Sequence, residues 1–110
     1  MNIVTIYRND TLSLPVIVKD GNGNPYNLTG YTMKMTVKRH KDDLDADAVI
    51  GTKTATIVAP ATGVGVFSFS SSDTNKTAGK YYYDVEISKS NDKKTVILDE
   101  FIILQDITKA

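Results

Sequence analysis

Tyr31-Thr32-Met33-Lys34-Met35-Thr36-Val37-Lys38 alternates apolar and polar side chains without a fault. Successive side chains of a β-strand point to opposite faces, so this stretch has one dry face and one wet face. The same period recurs on both sides of it. In Leu12-Ser13-Leu14-Pro15-Val16-Ile17-Val18-Lys19 the even positions are apolar. Pro15 cannot donate a ladder hydrogen bond, which places that strand at a sheet edge or breaks it there. In Gly65-Val66-Phe67-Ser68-Phe69-Ser70 both phenylalanines share a face, and in Tyr81-Tyr82-Tyr83-Asp84-Val85-Glu86-Ile87-Ser88 the odd positions do.

Composition points the same way. Thr, Val and Ile supply 33 of the 110 residues and Leu only 6. β-Branched side chains are stiff at χ1 and fit a pleated surface better than a helix. Turn-forming residues separate the runs: Asp20-Gly21-Asn22-Gly23-Asn24-Pro25, Ala59-Pro60-Ala61-Thr62-Gly63 and Lys89-Ser90-Asn91-Asp92-Lys93. Residues 70–80 are too polar for core and are expected to hold one helical turn. A short helix within 40–49 is a marginal expectation. About seven strands follow, over 2–8, 11–19, 31–39, 52–58, 64–70, 80–89 and 94–104. They predict an all-β fold, an antiparallel two-sheet immunoglobulin-like β-sandwich, with a small barrel as the alternative. The chain reads as one domain over 1–110, with 106–110 a tail or the start of a connection.

The last strand changes phase. Val96 and Leu98 share one parity and Phe101 and Ile103 the other, with Asp99-Glu100 between them. A β-bulge near Asp99-Glu100 would absorb the shift and keep one strand; a tight turn is the other option. On this reading Ile97, Ile102 and Leu104 lie on the face opposite the core, and Tyr82 stands on the otherwise polar face of its strand. Apolar residues on an outer face signal assembly or a central strand. Tyr82, Ile97, Ile102 and Leu104 are therefore the candidate protein-contact residues.

Candidates for chemistry fail one by one. The 13 basic and 13 acidic residues cancel, which argues against nucleic acid as a partner. No cysteine is present, which removes disulfides, thiolate metal sites and cysteine nucleophiles. His40, the lone histidine, lies between Arg39 and Lys41 in a charged loop, so a Ser-His-Asp triad has no credible base. Ser90-Asn91-Asp92-Lys93 matches a Ser-x-x-Lys string but sits in a hairpin and lacks partner motifs. Asp43-x-Asp45-x-Asp47 copies the start of a calcium loop, with Asp42 alongside. Ala48 stands where glycine is required and Thr54 where the bidentate glutamate belongs. Asp20-x-Asn22-x-Asn24 fails in the same way. The acidic loop 42–47 is accounted for by ion pairing with Lys38, Arg39 and Lys41. Gly63-Val64-Gly65 enters a strand and is no phosphate loop. Glycosylation strings at Asn9, Asn27 and Asn75 follow no secretion signal. No apolar run approaches the roughly 20 residues of a membrane helix. The expectation is a non-enzyme without cofactor, metal, nucleic-acid or membrane partner.

Several segments in order carry a resemblance. They are Asn9-Asp10-Thr11 before an apolar strand, Lys19 to Tyr31 with its Asn27-Leu28-Thr29-Gly30 step, Gly79-Lys80-Tyr81-Tyr82-Tyr83-Asp84-Val85, and Phe101 to Thr108 with its Asp106-Ile107-Thr108 end. Together they resemble the immunoglobulin-like N-terminal domain of tailed-phage baseplate upper proteins and related small phage virion proteins. The chain stops about where those proteins continue into a linker or stalk. The resemblance implies a non-enzymatic virion structural module, assembled in the host bacterial cytoplasm. It would act as a homo-oligomer among other phage virion proteins, attaching fibres or receptor-binding proteins at the baseplate or tail. A capsid accessory protein decorating the head or anchoring head fibres is one alternative. A carbohydrate-binding β-sandwich that contacts a host-surface glycan is the other.

Overall fold

The computed structural model describes residues 3–44 and 48–107. Eight strands occur in the order β1 (Val4–Tyr7), β2 (Leu12–Ile17), β3 (Thr32–Lys38), β4 (Ile50–Thr54), β5 (Thr56–Ala59), β6 (Val64–Phe69), β7 (Gly79–Lys89) and β8 (Asp92–Leu104). They form a five-stranded sheet, β1-β8-β7-β3-β4, and a three-stranded sheet, β2-β6-β5. A short helix, α1 (Ser71–Thr74), supplies the helical turn expected within 70–80. The described part of 40–49 is turn and bend, with no helix among the described residues.

The alternating residues meet between the sheets. Met33, Met35 and Val37 of β3 are fully buried, as are Val85, Ile87 and Phe101 of the neighbouring strands. Phe67 and Phe69 of β6 close on them from the smaller sheet, with the Phe69 and Phe101 rings 5.9 Å apart. Burying one such side chain stabilises the fold by ~1.5–3 kcal/mol. Gly65 lies on the same inner face, where an added Cβ would come 2.7 Å from Met33 Sδ. Its missing side chain lets the sheets close over Met33.

Three features depart from the sequence reading. The predicted strand 52–58 is two strands in different sheets. β4 pairs with β3, with Lys34 opposite Thr54, and β5 pairs with β6, with Thr56 opposite Val66. The Ala55 N–H still donates to the Met33 carbonyl at 2.9 Å, so the chain changes sheets within about one residue. Second, the larger sheet is mixed rather than antiparallel, because β1 runs parallel to β8, with Val4 opposite Phe101. Asn9 takes a φ of +74° and the Asp10 N–H closes a turn on the Tyr7 carbonyl, and the chain then enters β2 in the other sheet. Third, β8 is one strand, but its bulge is not at Asp99-Glu100. Val85 pairs with Ile97 and Glu86 with Thr95, so Val96 is the extra residue.

Pro15 lies opposite Val66 in β2, an edge strand, and does not break it. The Val18 N–H points toward the β6 side, donating to Gly63 at 2.8 Å. By alternation the odd positions of β2 face away from β6, so Pro15 falls where no ladder donor is needed. The segment between β2 and β3 is pinned by side chains. Asp20 Oδ1 accepts from the Asn22 and Asn24 N–H groups at 2.9 and 3.0 Å, and Asn27 Oδ1 from the Thr29 N–H at 3.0 Å. Leu28, between the latter two, is fully buried.

Candidate interaction surface

The inward set on β7 and β8 (Tyr81, Tyr83, Val85, Phe101, Ile103) fixes what faces out. β7 presents Lys80, Tyr82 and Asp84 outward, and β8 presents Ile102, Glu100 and Leu98 beside them, each pair in register. Leu104 follows, opposite Tyr7 of β1. Leu98 is 60% exposed, Tyr7 55% and Leu104 37%. Ile102 and Tyr82 are half-buried. The Lys41 ammonium lies 5.0 Å from the Tyr82 ring centroid, and Lys80 pairs with Glu100 at 3.4 Å.

Three of the four proposed contact residues, Tyr82, Ile102 and Leu104, therefore share this outer face. Ile97 does not. It stands opposite Val85 on the inner side, half-buried against the core. The cause is the bulge at Val96, three residues before the acidic pair. It turns Ile97 inward and leaves Leu98, which the sequence reading had put on the dry face, as the most exposed apolar residue of β8. Counting parity backward from Phe101 and Ile103 would have found Leu98. Asp99 comes to stand opposite Tyr83 on the inner side. Burial pushes the Tyr83 phenol up to about 12, and the Asp99 carboxylate adds to it.

A second feature is the open side of the sandwich. The two sheets are joined through Ala55 on one side but end at β1 and β2 on the other. There a cleft of about 610 Å³ opens between Ile3, Leu14, Val16, Val96 and Ile97.

A third cluster lies at the hairpin end, where Tyr31 packs half-buried against the edge of the core and its hydroxyl reaches the surface. Tyr31 donates its hydroxyl proton to Asp92 Oδ2 at 3.0 Å, and its oxygen lies 3.2 Å from the Tyr26 hydroxyl. Lys94 Nζ donates to the Tyr26 oxygen at 3.0 Å and pairs with Asp92 at 3.5 Å. The Lys94 ammonium, donating to its oxygen, holds the Tyr26 phenol below its usual range. Tyr31 is pushed up to about 12, first by its bond with Tyr26 and then by Asp92.

The remaining polar candidates do structural work. Asp43 Oδ2 accepts from the His40 N–H at 3.1 Å, and Asp45 and Asp47 lie outside the described residues. Asp73 and Ser70 cap α1 reciprocally, and Lys53 reaches Asp73 at 2.9 Å. That ammonium and the Ser70 N–H hold the Asp73 carboxyl below its usual value. Among the described residues no three His, Cys, Asp or Glu side chains gather as metal ligands. No known family model matches the chain, and no curated protein does.

Proposed function

We propose that the chain is an immunoglobulin-like domain that serves as a non-enzymatic assembly module of a tailed-phage virion, attaching fibres or receptor-binding proteins at the baseplate or tail. The strand order supports the fold half of this reading. In chain order β2, β5 and β6 fall where strands B, D and E of an immunoglobulin domain lie, and β3, β7 and β8 where C, F and G lie. Tyr81 supports it further. It sits near the start of β7 and its hydroxyl donates to the Thr77 carbonyl four residues upstream, as the tyrosine corner of such domains does. The disulfide and tryptophan of antibody domains are absent from this sequence.

The observation that carries the assembly half is the outer face of β7 and β8. Leu98, Leu104 and Tyr7 expose apolar surface in one strip, with Ile102 and Tyr82 among them. Zero formal net charge limits repulsion between packed copies. Copies fixed by virion symmetry add weak contacts into firm attachment. The virion setting comes from the sequence resemblance.

Immunogold electron microscopy of purified phage particles tests the reading. Label at the tail tip is the expected result. Label over the head moves the domain to a capsid accessory role. Absence of label from particles on which the antigen is accessible overturns both, and glycan binding is then the reading to test.

A further inference from the structure

β8 is covered unequally along its two edges. β7 pairs with it from Asp92 to Ile103, whereas β1 pairs with it only from Phe101 to Leu104. Ahead of Phe101 the edge on the β1 side is open, and Ile3, Val96 and Ile97 line the 610 Å³ cleft beside it. The Arg8 N–H donates to the Leu104 carbonyl at 2.7 Å. Both backbone groups of a strand residue point to one side, and successive residues alternate. Leu98, Glu100, Ile102 and Leu104 therefore turn these groups toward the β1 edge, and Asp99, Phe101 and Ile103 toward β7.

The parallel register sets Val4 opposite Phe101, so the Glu100 carbonyl faces the Val4 N–H. The Glu100 N–H and the Leu98 carbonyl come next, beyond the start of β1. Asp99 Oδ1 accepts the Glu100 N–H at 2.8 Å, where the carbonyl of an adjoining strand would otherwise stand. Continued by one step, the same ladder places residue 2 opposite Asp99. Its N–H then meets the Leu98 carbonyl and its C=O meets the Glu100 N–H.

Met1 and Asn2 lie outside the described residues, and Ile3 delivers them to this edge. We propose that Met1-Asn2 docks on the open edge of β8 as a continuation of β1. Two residues span about 7 Å at roughly 3.3 Å each, which covers the rows of Asp99 and Leu98. Past those rows the bulge at Val96 ends the regular ladder. Val4 and Ile6 face inward, so alternation turns the Asn2 side chain inward as well, toward Asp99 and Tyr83. Its amide can donate to a carboxylate and accept from a phenol. The opposite wall of the cleft is a poorer dock, because Pro15 on the outer edge of β2 has no N–H to offer. An open strand edge is a template for pairing with another chain. Asn2 takes up the two ladder groups that such a chain would need.

The sequence holds no cysteine, so paired cysteine substitutions report proximity without interference. Opposed residues of neighbouring strands stand about 4.8 Å apart, within the span of a disulfide. The full chain, with nothing joined ahead of Met1, is made with Asn2→Cys and Asp99→Cys together and oxidised mildly. An intramolecular disulfide is expected. Thr5→Cys with Ile102→Cys, opposed in the same ladder, is the positive control. Asn2→Cys with Ile97→Cys, two residues out of register, is expected to stay reduced. In the unsubstituted chain, which keeps the Asp99 carboxylate, amide exchange by NMR should show the Asn2 N–H slowed about tenfold or more relative to an unstructured peptide. Failure of the Asn2/Asp99 pair to close while the Thr5/Ile102 pair closes overturns the proposal. So does a disulfide that links two chains, which would give the edge to a second copy, or an Asn2 amide that exchanges at the unstructured rate.

Discussion

Gly63 and Gly23 share a left-handed backbone and differ in their surroundings, so substituting each with alanine separates two physical costs. Gly63 has φ +73° and Gly23 φ +83°. Around Gly23 an added Cβ meets nothing within 4 Å. At Gly63 it would come 2.4 Å from the Val18 carbonyl oxygen, 3.0 Å from the Tyr26 carbonyl oxygen and 3.1 Å from the Tyr26 nitrogen. These are backbone atoms in a fixed lattice. The Val18 N–H donates to the Gly63 carbonyl at 2.8 Å, and the Tyr26 N–H to the Val18 carbonyl at 2.9 Å. Gly23→Ala therefore carries only the conformational cost, about 1 kcal/mol. Gly63→Ala carries that cost, ~1–3 kcal/mol of overpacking and a share of one backbone hydrogen bond worth ~1 kcal/mol. Its expected total is about 3–4 kcal/mol. For a domain of this size 1 kcal/mol moves Tm by about 4 °C. Differential scanning calorimetry should then show a fall of about 4 °C for Gly23→Ala and about 12–16 °C for Gly63→Ala. Equal falls for the two variants would refute the packing of the β2–β3 segment against the turn before β6.

The bulge at Val96 predicts opposite outcomes for neighbouring residues. Leu98→Lys should leave stability within about 0.5 kcal/mol of wild type, whereas Ile97→Lys should cost about 2 kcal/mol or more, read by urea unfolding. A bulge at Asp99-Glu100 would reverse the pair. Tyr83 sets an alkaline limit on stability. Its phenol is raised from 10.0 to about 12 in the folded chain, so its contribution is complete below pH 10 and disappears as pH climbs through about 12. Tyr31, raised to about 12, acts in the same direction. Unfolding followed across pH 9–12 should shift to a higher midpoint in Tyr83→Phe relative to wild type at the alkaline end; an unchanged pH dependence refutes the assignment.

Strand positions were legible because burial follows the period of two almost everywhere. What periodicity could not carry is which strands pair. Lys53, Ala55 and Ile57 are half-buried and Thr52, Thr54 and Thr56 exposed, so the alternation runs unbroken through the change of sheet at Ala55. No residue pattern marks that crossing; the demand to cover both faces of one core makes it. The parallel direction of β1 is invisible for a related reason. Val4 and Ile6 point inward whichever way β8 runs beside them. The bulge is visible as a change of phase, but the phase alone does not place it: Asp99-Glu100 lie between the two apolar parities, while the extra residue is Val96. Asp99 tolerates the inner side because it lies half-buried and its Oδ1 accepts the Glu100 N–H at 2.8 Å. The cluster of Tyr26, Tyr31, Asp92 and Lys94 is hidden from the sequence for another reason. Tyr26 and Tyr31 are 61 or more residues from Asp92 and Lys94, and only the fold joins them.

The two candidate surfaces lie toward opposite ends of β7 and β8, and this bears on how both could operate at once. Ile102 stands beside Lys80 and Lys94 beside Ile87. Seven residues of strand separate those rows, about 23 Å at roughly 3.3 Å per residue. The domain is 42 Å along its longest axis, so the apolar strip and the tyrosine cluster can be occupied separately. Leu104 and Tyr7 close the strip at the end where β8 leaves the sheet, while the tyrosine cluster is carried by the β7–β8 hairpin and the segment after β2. A copy held through Leu98, Ile102 and Leu104 would still present Tyr26 and Lys94 to solvent. Labelling of Tyr26 by N-acetylimidazole, used as a probe of accessibility, should then proceed at the same rate in assembled particles as in the free chain. Protection of Tyr26 on assembly, with Leu98→Lys still able to assemble, would place the contact at the hairpin end and remove the outer face of β7 and β8 from the interface.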